Sequence, residues 1–247
     1  MDPIAIATSV LTLVAGVGIF LIACSMMSSN LEALGSRKLK SLFAKASKSK
    51  LVGVGVGAAT TAAIQSSSAT SVMVIGFVNA GIMTLAQAAT VIFGANIGTT
   101  VTGQLVALGM FGENTISSSV IFATFAGVGA FILMFAKKDS LQKVGGILAG
   151  FGMLFVGLSM MSGAMAYFSE LDAVKSFLAL FENPVLLVII GALLTAVVQS
   201  SSVMTSMAIT MVVTGLISLN QGIYITMGSN VGTCVTALIA GLSSTKN

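Results

Sequence analysis

Between Lys50 and Glu113, and again between Glu182 and Lys246, the chain carries no Asp, Glu, Lys or Arg, and it has no His anywhere. Stretches of some sixty residues without a charge cannot form the hydrated surface of a soluble domain, in which roughly 25% of residues are charged against 7% here. A bilayer is the solvent that tolerates them. There the backbone has to satisfy its own hydrogen bonds, which a helix does within one segment, and about 20 apolar residues cross the core. Residues 4–27, 117–136 and 141–167 meet that length, so the expected fold class is an all-α membrane protein. The first run is a true span and not a secretory signal, because its start holds Asp2 and no Lys or Arg.

The two uncharged stretches are interrupted by the same polar words. QSSS stands at 65–68 and again at 199–202, and GANIGTTVT at 94–102 answers GSNVGTCVT at 228–236. Adding 134 to each number from 65 to 102 gives 16 identities in 38 positions without a gap. The match reaches upstream, where SMMS at 25–28 recurs at 159–162 and Gly16 and Gly18 recur as Gly150 and Gly152. An internal repeat of this kind sets the architecture. The expected units are repeat 1 at 1–110, a linking helix at 111–140, and repeat 2 at 141–247, which lacks a counterpart of that helix.

Residues 51–64 make about 21 Å of helix, past the midplane but short of the far side. Each QSSS region is therefore expected to be a re-entrant hairpin. Charge supports this, since Lys and Arg gather on the cytoplasmic side. With hairpins, ten of the eleven basic residues, including the connector at 37–50 and Lys137, Lys138 and Lys143, fall on one face. Glu32 and Asp139 stay on that face, and Asp2, Glu113, Glu170, Asp172 and Glu182, with only Lys175, fall on the other. Three crossings then separate the repeats, and an odd number inverts the second copy. Inverted repeats with interrupted helices meeting at the midplane are an architecture of secondary transporters. Each second segment is expected to be a broken transmembrane helix, with Gly98 and Gly232 letting the backbone turn out.

A single serine in such a place is as well explained by capping or by helix–helix hydrogen bonding. Ser117 to Ser119, without a copy at offset 134, read as a cap. The QSSS pair differs, because the 31-residue separation from Asn-x-Gly-Thr is repeated along with the motif. Two inverted tips bring Ser66 to Ser68 and Ser200 to Ser202 together, with helix N-termini aimed at the gap, which suits an oxyanion. Carbonyls freed near Asn96 and Asn230, with Ser, Thr, Gln and Asn oxygens, suit a hard cation. With no charged residue in these stretches, a proton relay is disfavoured, and the bound cation is expected to supply the positive charge inside a neutral cage. Cys24 and Cys234 read as small buried hydrophobes and indicate neither disulfide nor metal cluster. The basic connector reads as a helix on anionic headgroups, with no nucleic-acid partner. Nothing supports an enzyme.

The paired segments 65–102 and 199–236 resemble the duplicated signature of the type II sodium/phosphate cotransporters, including their bacterial members. The resemblance implies sodium-driven phosphate uptake by alternating access, with sodium co-transported and no organic cofactor. It assigns phosphate and sodium binding to Gln65, Ser66, Ser67, Ser68, Asn96 and Thr99, and to Gln199, Ser200, Ser201, Ser202, Asn230 and Thr233. It also implies a multi-pass protein of the plasma (inner) membrane with residues 37–50 cytoplasmic. Cys234 stands where copy one has Thr100, so that position is not a strict oxygen ligand in both halves. Electrogenic members carry an aspartate in the helix after the first signature; residues 117–136 hold no acid, so an electroneutral cycle is expected. The end at Asn247 implies either a shortened chain or a homodimer partner over the exposed face. A sodium-independent anion channel or uniporter on the same hairpins is the main rival, and a non-transporting scaffold or sensor is the third class.

Overall fold

The computed structural model describes residues 2–46, 49–110 and 118–243. Among them every regular element is an α-helix: α1 Pro3–Ala46, α2 Lys50–Ile64, α3 Ser67–Asn79, α4 Leu85–Met110, α5 Ser118–Phe135, α6 Asp139–Ser169, α7 Asp172–Ala179, α8 Pro184–Val198, α9 Ser201–Val213, α10 Leu219–Gly232 and α11 Cys234–Ser243. Segments Pro3–Leu34, Leu85–Met110, Asp139–Ser169 and Leu219–Ile239 are long and apolar enough to cross a membrane. Large apolar side chains such as Leu11, Phe131, Leu193 and Val197 are exposed, as lipid-facing positions require. The chain is an all-helical multi-pass membrane protein.

Glycines show how the long helices lie. A methyl group added at Gly16 would come within 2.9 Å of the Gly157 carbonyl, and one at Gly150 within 2.9 Å of the Ala23 carbonyl. Position 16 of α1 thus faces 157 of α6, and 23 faces 150, so the helices are antiparallel. Adding 134 to Gly16 and Ala23 gives Gly150 and Gly157, so each contact is the image of the other, the reciprocity of a two-fold interface. Around this seam Phe20, Met27, Leu154, Phe155 and Met161 form the main core with Val106 and Val203. The antiparallel pairing also brings the start of α6, after Lys137 and Lys138, to the end of α1 that runs toward the basic connector, where Gly146 meets Asn30.

Helices α2 and α4 run parallel instead. A methyl at Gly94 would meet the Val54 carbonyl at 2.0 Å, and one at Gly98 the Ala58 carbonyl at 2.5 Å. The second copy repeats this, with Gly228 against Val188 at 2.1 Å and Gly232 against Ala192 at 2.3 Å. Because α4 begins at the end where α2 begins, α3 has to run back between them. Segment α2–α3, and likewise α8–α9, is therefore a helical hairpin whose open ends lie on one side of its tip. The return into the next helix is built alike in both: Gly81 and Gly215 take φ of 69° and 71°. Gln87 and Gln221 then close capping boxes with Thr84 and Ser218. The copies interlock, since the C-terminal half of α4 packs on α9, with Gly103 against Thr205, while α11 packs on α3.

Two expectations need correction or bounding. The break in the first signature is absent: α4 is continuous through Asn96–Gly98. Glycine is there because backbone approaches backbone, not because the helix unwinds. In the second copy only Thr233 separates α10 from α11, and its φ of −62° and ψ of −23° are helical. The cap expected from Ser117 lies outside the described residues, as do Lys48 and the side chains of Arg37, Lys38, Lys40 and Lys45.

The hairpins differ in one latch. Thr61 donates its hydroxyl to that of Thr70 across hairpin one at 2.9 Å. In hairpin two the equivalent of Thr70 is Met204, and the fully buried Thr195 hydroxyl has no partner. An unsatisfied buried hydroxyl costs about 1–3 kcal/mol, whereas a paired one contributes about 1 kcal/mol. Thr195→Val is therefore expected to raise stability by about 1 kcal/mol and Thr61→Val to lower it by a similar amount. Thermal unfolding in detergent checks both signs.

Candidate functional site

Each hairpin turns on its glutamine. Gln65 and Gln199 close α2 and α8 in the left-handed region, with φ of 55° and 58°. Glycine usually fills such a cap, and any other residue costs about 1–2 kcal/mol there. The side chain offsets that cost. The Gln65 amide nitrogen donates to the Ala62 carbonyl, and its oxygen accepts from the Thr102 hydroxyl of α4 at 2.6 Å. Gln199 repeats both contacts, to Ala196 and with Thr236 at 2.8 Å. The glutamines thus clamp each tip to the helix that follows, a role the sequence reading did not assign to them.

Serines begin the returning helices. Ser66 and Ser200 are N-caps, their oxygens accepting from the Ala69 N–H at 3.1 Å and the Val203 N–H at 3.4 Å. Capping leaves each hydroxyl proton free to donate outward. Ser67, Ser201 and Ser202 are buried and Ser68 half-buried, at the first positions of α3 and α9. Backbone N–H groups there have no intrahelical acceptor and carry the positive end of the dipole.

Both tips open on one cavity. About 370 Å³ in volume, it is lined by Gln65, Ser66 and Ser200 together with Ser25, Ser28 and Glu32 of α1. The α1 residues were not foreseen as site residues, although SMMS in the upstream repeat was a signal for them. Positions 21, 25, 28 and 32 recur at helical spacing and form one stripe. Glu32 corrects the expectation of a neutral cage: the uncharged stretches stay uncharged, but α1 brings a carboxylate to the serine tips. Among the described residues no basic side chain pairs with it, the one ion pair being Lys143–Asp139.

Asn96, Thr99 and Asn230 meet in a second cavity, about 270 Å³, with Thr100, Gln104 and Thr226. In the first copy the carbonyls expected to be freed are held within the continuous α4, whereas Asn230 lies beside the α10–α11 junction, where the Thr233 N–H bonds the Ser229 carbonyl and the Thr236 N–H the Thr233 carbonyl. Thr99 donates to the Ala95 carbonyl at 3.1 Å and Thr233 to the Ser229 carbonyl at 3.0 Å. Of the twelve predicted residues, six line the two chambers, Gln65, Ser66 and Ser200 one and Asn96, Thr99 and Asn230 the other, while Ser67, Ser68, Ser201 and Ser202 begin α3 and α9 without lining either. Gln199 and Thr233 line neither and serve the tip clamp and the helix junction.

The chain is similar in sequence to several known proteins. The protein YqeW of Bacillus subtilis (strain 168), named as uncharacterized, is 28% identical over 225 residues, 91% of this chain and 70% of its own length. Escherichia coli O157:H7 has a relative named "Putative inorganic phosphate export protein YjbB", 22% identical over 94% of this chain, which spans only 41% of that relative. The sodium-dependent phosphate transport protein 2A of Ovis aries is 47% identical over 64 residues, 26% of this chain and 10% of its own. No solved structure matches. The family model described as Na+/Pi-cotransporter matches residues 19–163 and 167–246, which take in both hairpins, both clamps and the serine stripe of α1, and so the chain belongs to the Na+/Pi-cotransporter family.

Proposed function

We propose that this chain carries inorganic phosphate across the plasma (inner) membrane coupled to sodium, by alternating access between two inverted repeats. The observation that carries the reading is the shared cavity: helix N-termini from both repeats, capped by Ser66 and Ser200, end on the same space. Converging N–H groups and hydroxyls favour an oxyanion. Inversion is supported by the antiparallel α1 and α6, which are equivalent in the repeat. Re-entry is supported by the parallel α2 and α4, because a hairpin returning to the start of a spanning helix leaves the membrane where it entered. The domain division at 1–110, 111–140 and 141–247 follows from the same offset. In this reading the Asn96, Thr99 and Asn230 chamber serves the cation, and the basic connector faces the cytoplasm.

Radiolabelled phosphate uptake into proteoliposomes, under sodium, potassium or proton gradients imposed in turn, tests the proposal. Accumulation against a phosphate gradient with inward sodium alone is expected, with no net current. Uptake that persists without a sodium gradient makes the protein a channel or uniporter. The name of the YjbB relative favours a second reading, in which the physiological direction is export. A symporter follows the sum of its gradients, so outward sodium is expected to drive phosphate out through the same cycle.

A further inference from the structure

The uncharged stretches place no ionisable group near the hairpin tips, yet the cavity that joins them holds one carboxylate. Glu32 shares that space with Ser25 and Ser28 of its own helix, and with Ser66 and Ser200 of the two tips. It stands eleven residues beyond Leu21 on one stripe, about 16 Å along α1, at the end where α1 and α6 bring their basic flanks together. The other ionisable group on the cavity is the Cys24 thiol.

A carboxylate and an oxyanion sharing one cavity repel each other, so Glu32 does not serve as an anion ligand by itself. A cation held between them reverses the sign of that interaction. Serine hydroxyls and a carboxylate are the oxygen donors a hard monovalent ion prefers, and a carboxylate favours an ion over a neutral solute. We propose that Glu32, with Ser25 and Ser28, forms a sodium site within the serine cavity, distinct from the Asn96, Thr99 and Asn230 chamber. Its sodium ion bridges Glu32 to the bound oxyanion. This rests on the sodium-coupled reading above, and it assigns α1 a part in coupling that the signature segments do not include. Without sodium the carboxylate excludes the anion. With sodium it holds the anion in place.

The test uses the purified chain in detergent and in proteoliposomes, with Glu32→Gln and Glu32→Asp. In detergent the readout is the rise in unfolding temperature as sodium replaces potassium, measured without phosphate. In vesicles it is the sodium dependence of phosphate uptake. Glu32→Gln is expected to raise the half-saturating sodium concentration about tenfold or more in both assays, as loss of support to a metal site does. Glu32→Asp, which keeps the charge, is expected to fall between Gln and wild type. A Glu32→Gln protein that folds as wild type and keeps the wild-type sodium curve in both assays overturns the site. So does a Glu32→Asp protein as impaired as Glu32→Gln, because charge would then not be what matters. Wild-type phosphate uptake indifferent to sodium overturns the symport reading instead. In that event, sodium stabilisation lost in Glu32→Gln would still support the site.

Discussion

Gly94→Ala, and its counterpart Gly228→Ala, are expected to cost about 3 kcal/mol or more each, the upper end of overpacking in a filled core, and the double variant to give no folded protein. The added methyl would lie 2.0 Å from the Val54 carbonyl, or 2.1 Å from that of Val188. The obstacle is helix backbone, which cannot rotate aside as a side chain can. Helices α2 and α4 would have to part by more than an ångström. That parting would stretch the 2.6 Å bond by which Thr102 holds the Gln65 clamp, so the loss reaches the site as well as the core. Gly55→Ala and Gly76→Ala are the controls, because a methyl there meets nothing within 4 Å. Freed of the glycine penalty in a helix, they are expected to be neutral or to gain up to about 1 kcal/mol. Monodisperse yield and thermal unfolding in detergent separate the two classes.

These glycines also mark what could and could not be read ahead. Gly98 in an Asn-x-Gly-Thr segment is consistent with a backbone that turns out of a helix or with one that touches another helix. Only the partner decides between them, and the partner, α2, was visible solely through Gly57 at the complementary level. The repeat itself was fully legible, because one offset relates the dihedral angles of both glutamines, both caps, both return turns and both clamps. Helix length and charge, quantities a linear sequence carries directly, led to the expectation of hairpins, and α2–α3 and α8–α9 are helical hairpins whose re-entry belongs to the proposed function. Glu32 was not legible in the same way. It precedes Gln65 by 33 positions and Ser200 by 168, and its proximity to both comes from the packing of α1 beside the tips, which charge counting along the chain does not encode. Nor does periodicity reveal that Gln65 is a clamp, although Thr102 and Thr236 were among the matched positions of the repeat.

Ser66→Gly with Ser200→Gly is expected to abolish phosphate accumulation, to less than about 1% of wild type if each lost hydroxyl takes roughly 1.5 kcal/mol from the bound oxyanion. Glycine rather than alanine is the informative replacement. Both serines cap helices through their side chains, and alanine at an N-cap costs about 1 kcal/mol where glycine costs only a few tenths. The glycine pair therefore removes the two donors that face the common cavity while leaving α3 and α9 nearly as stable as before. If the serines only shape the tips, the glycine pair will transport while the Ser66→Ala, Ser200→Ala pair fails in proportion to its lost stability. If they hold the anion, both pairs fail alike, and the unfolding temperature of the glycine pair stays close to wild type. Single variants sharpen the distinction. Each tip supplies one hydroxyl to the same space, so either single substitution should weaken apparent phosphate affinity by about tenfold. A tip that contributed nothing would leave its single variant indistinguishable from wild type, and the pairing of the two repeats around one ion would then lose its support.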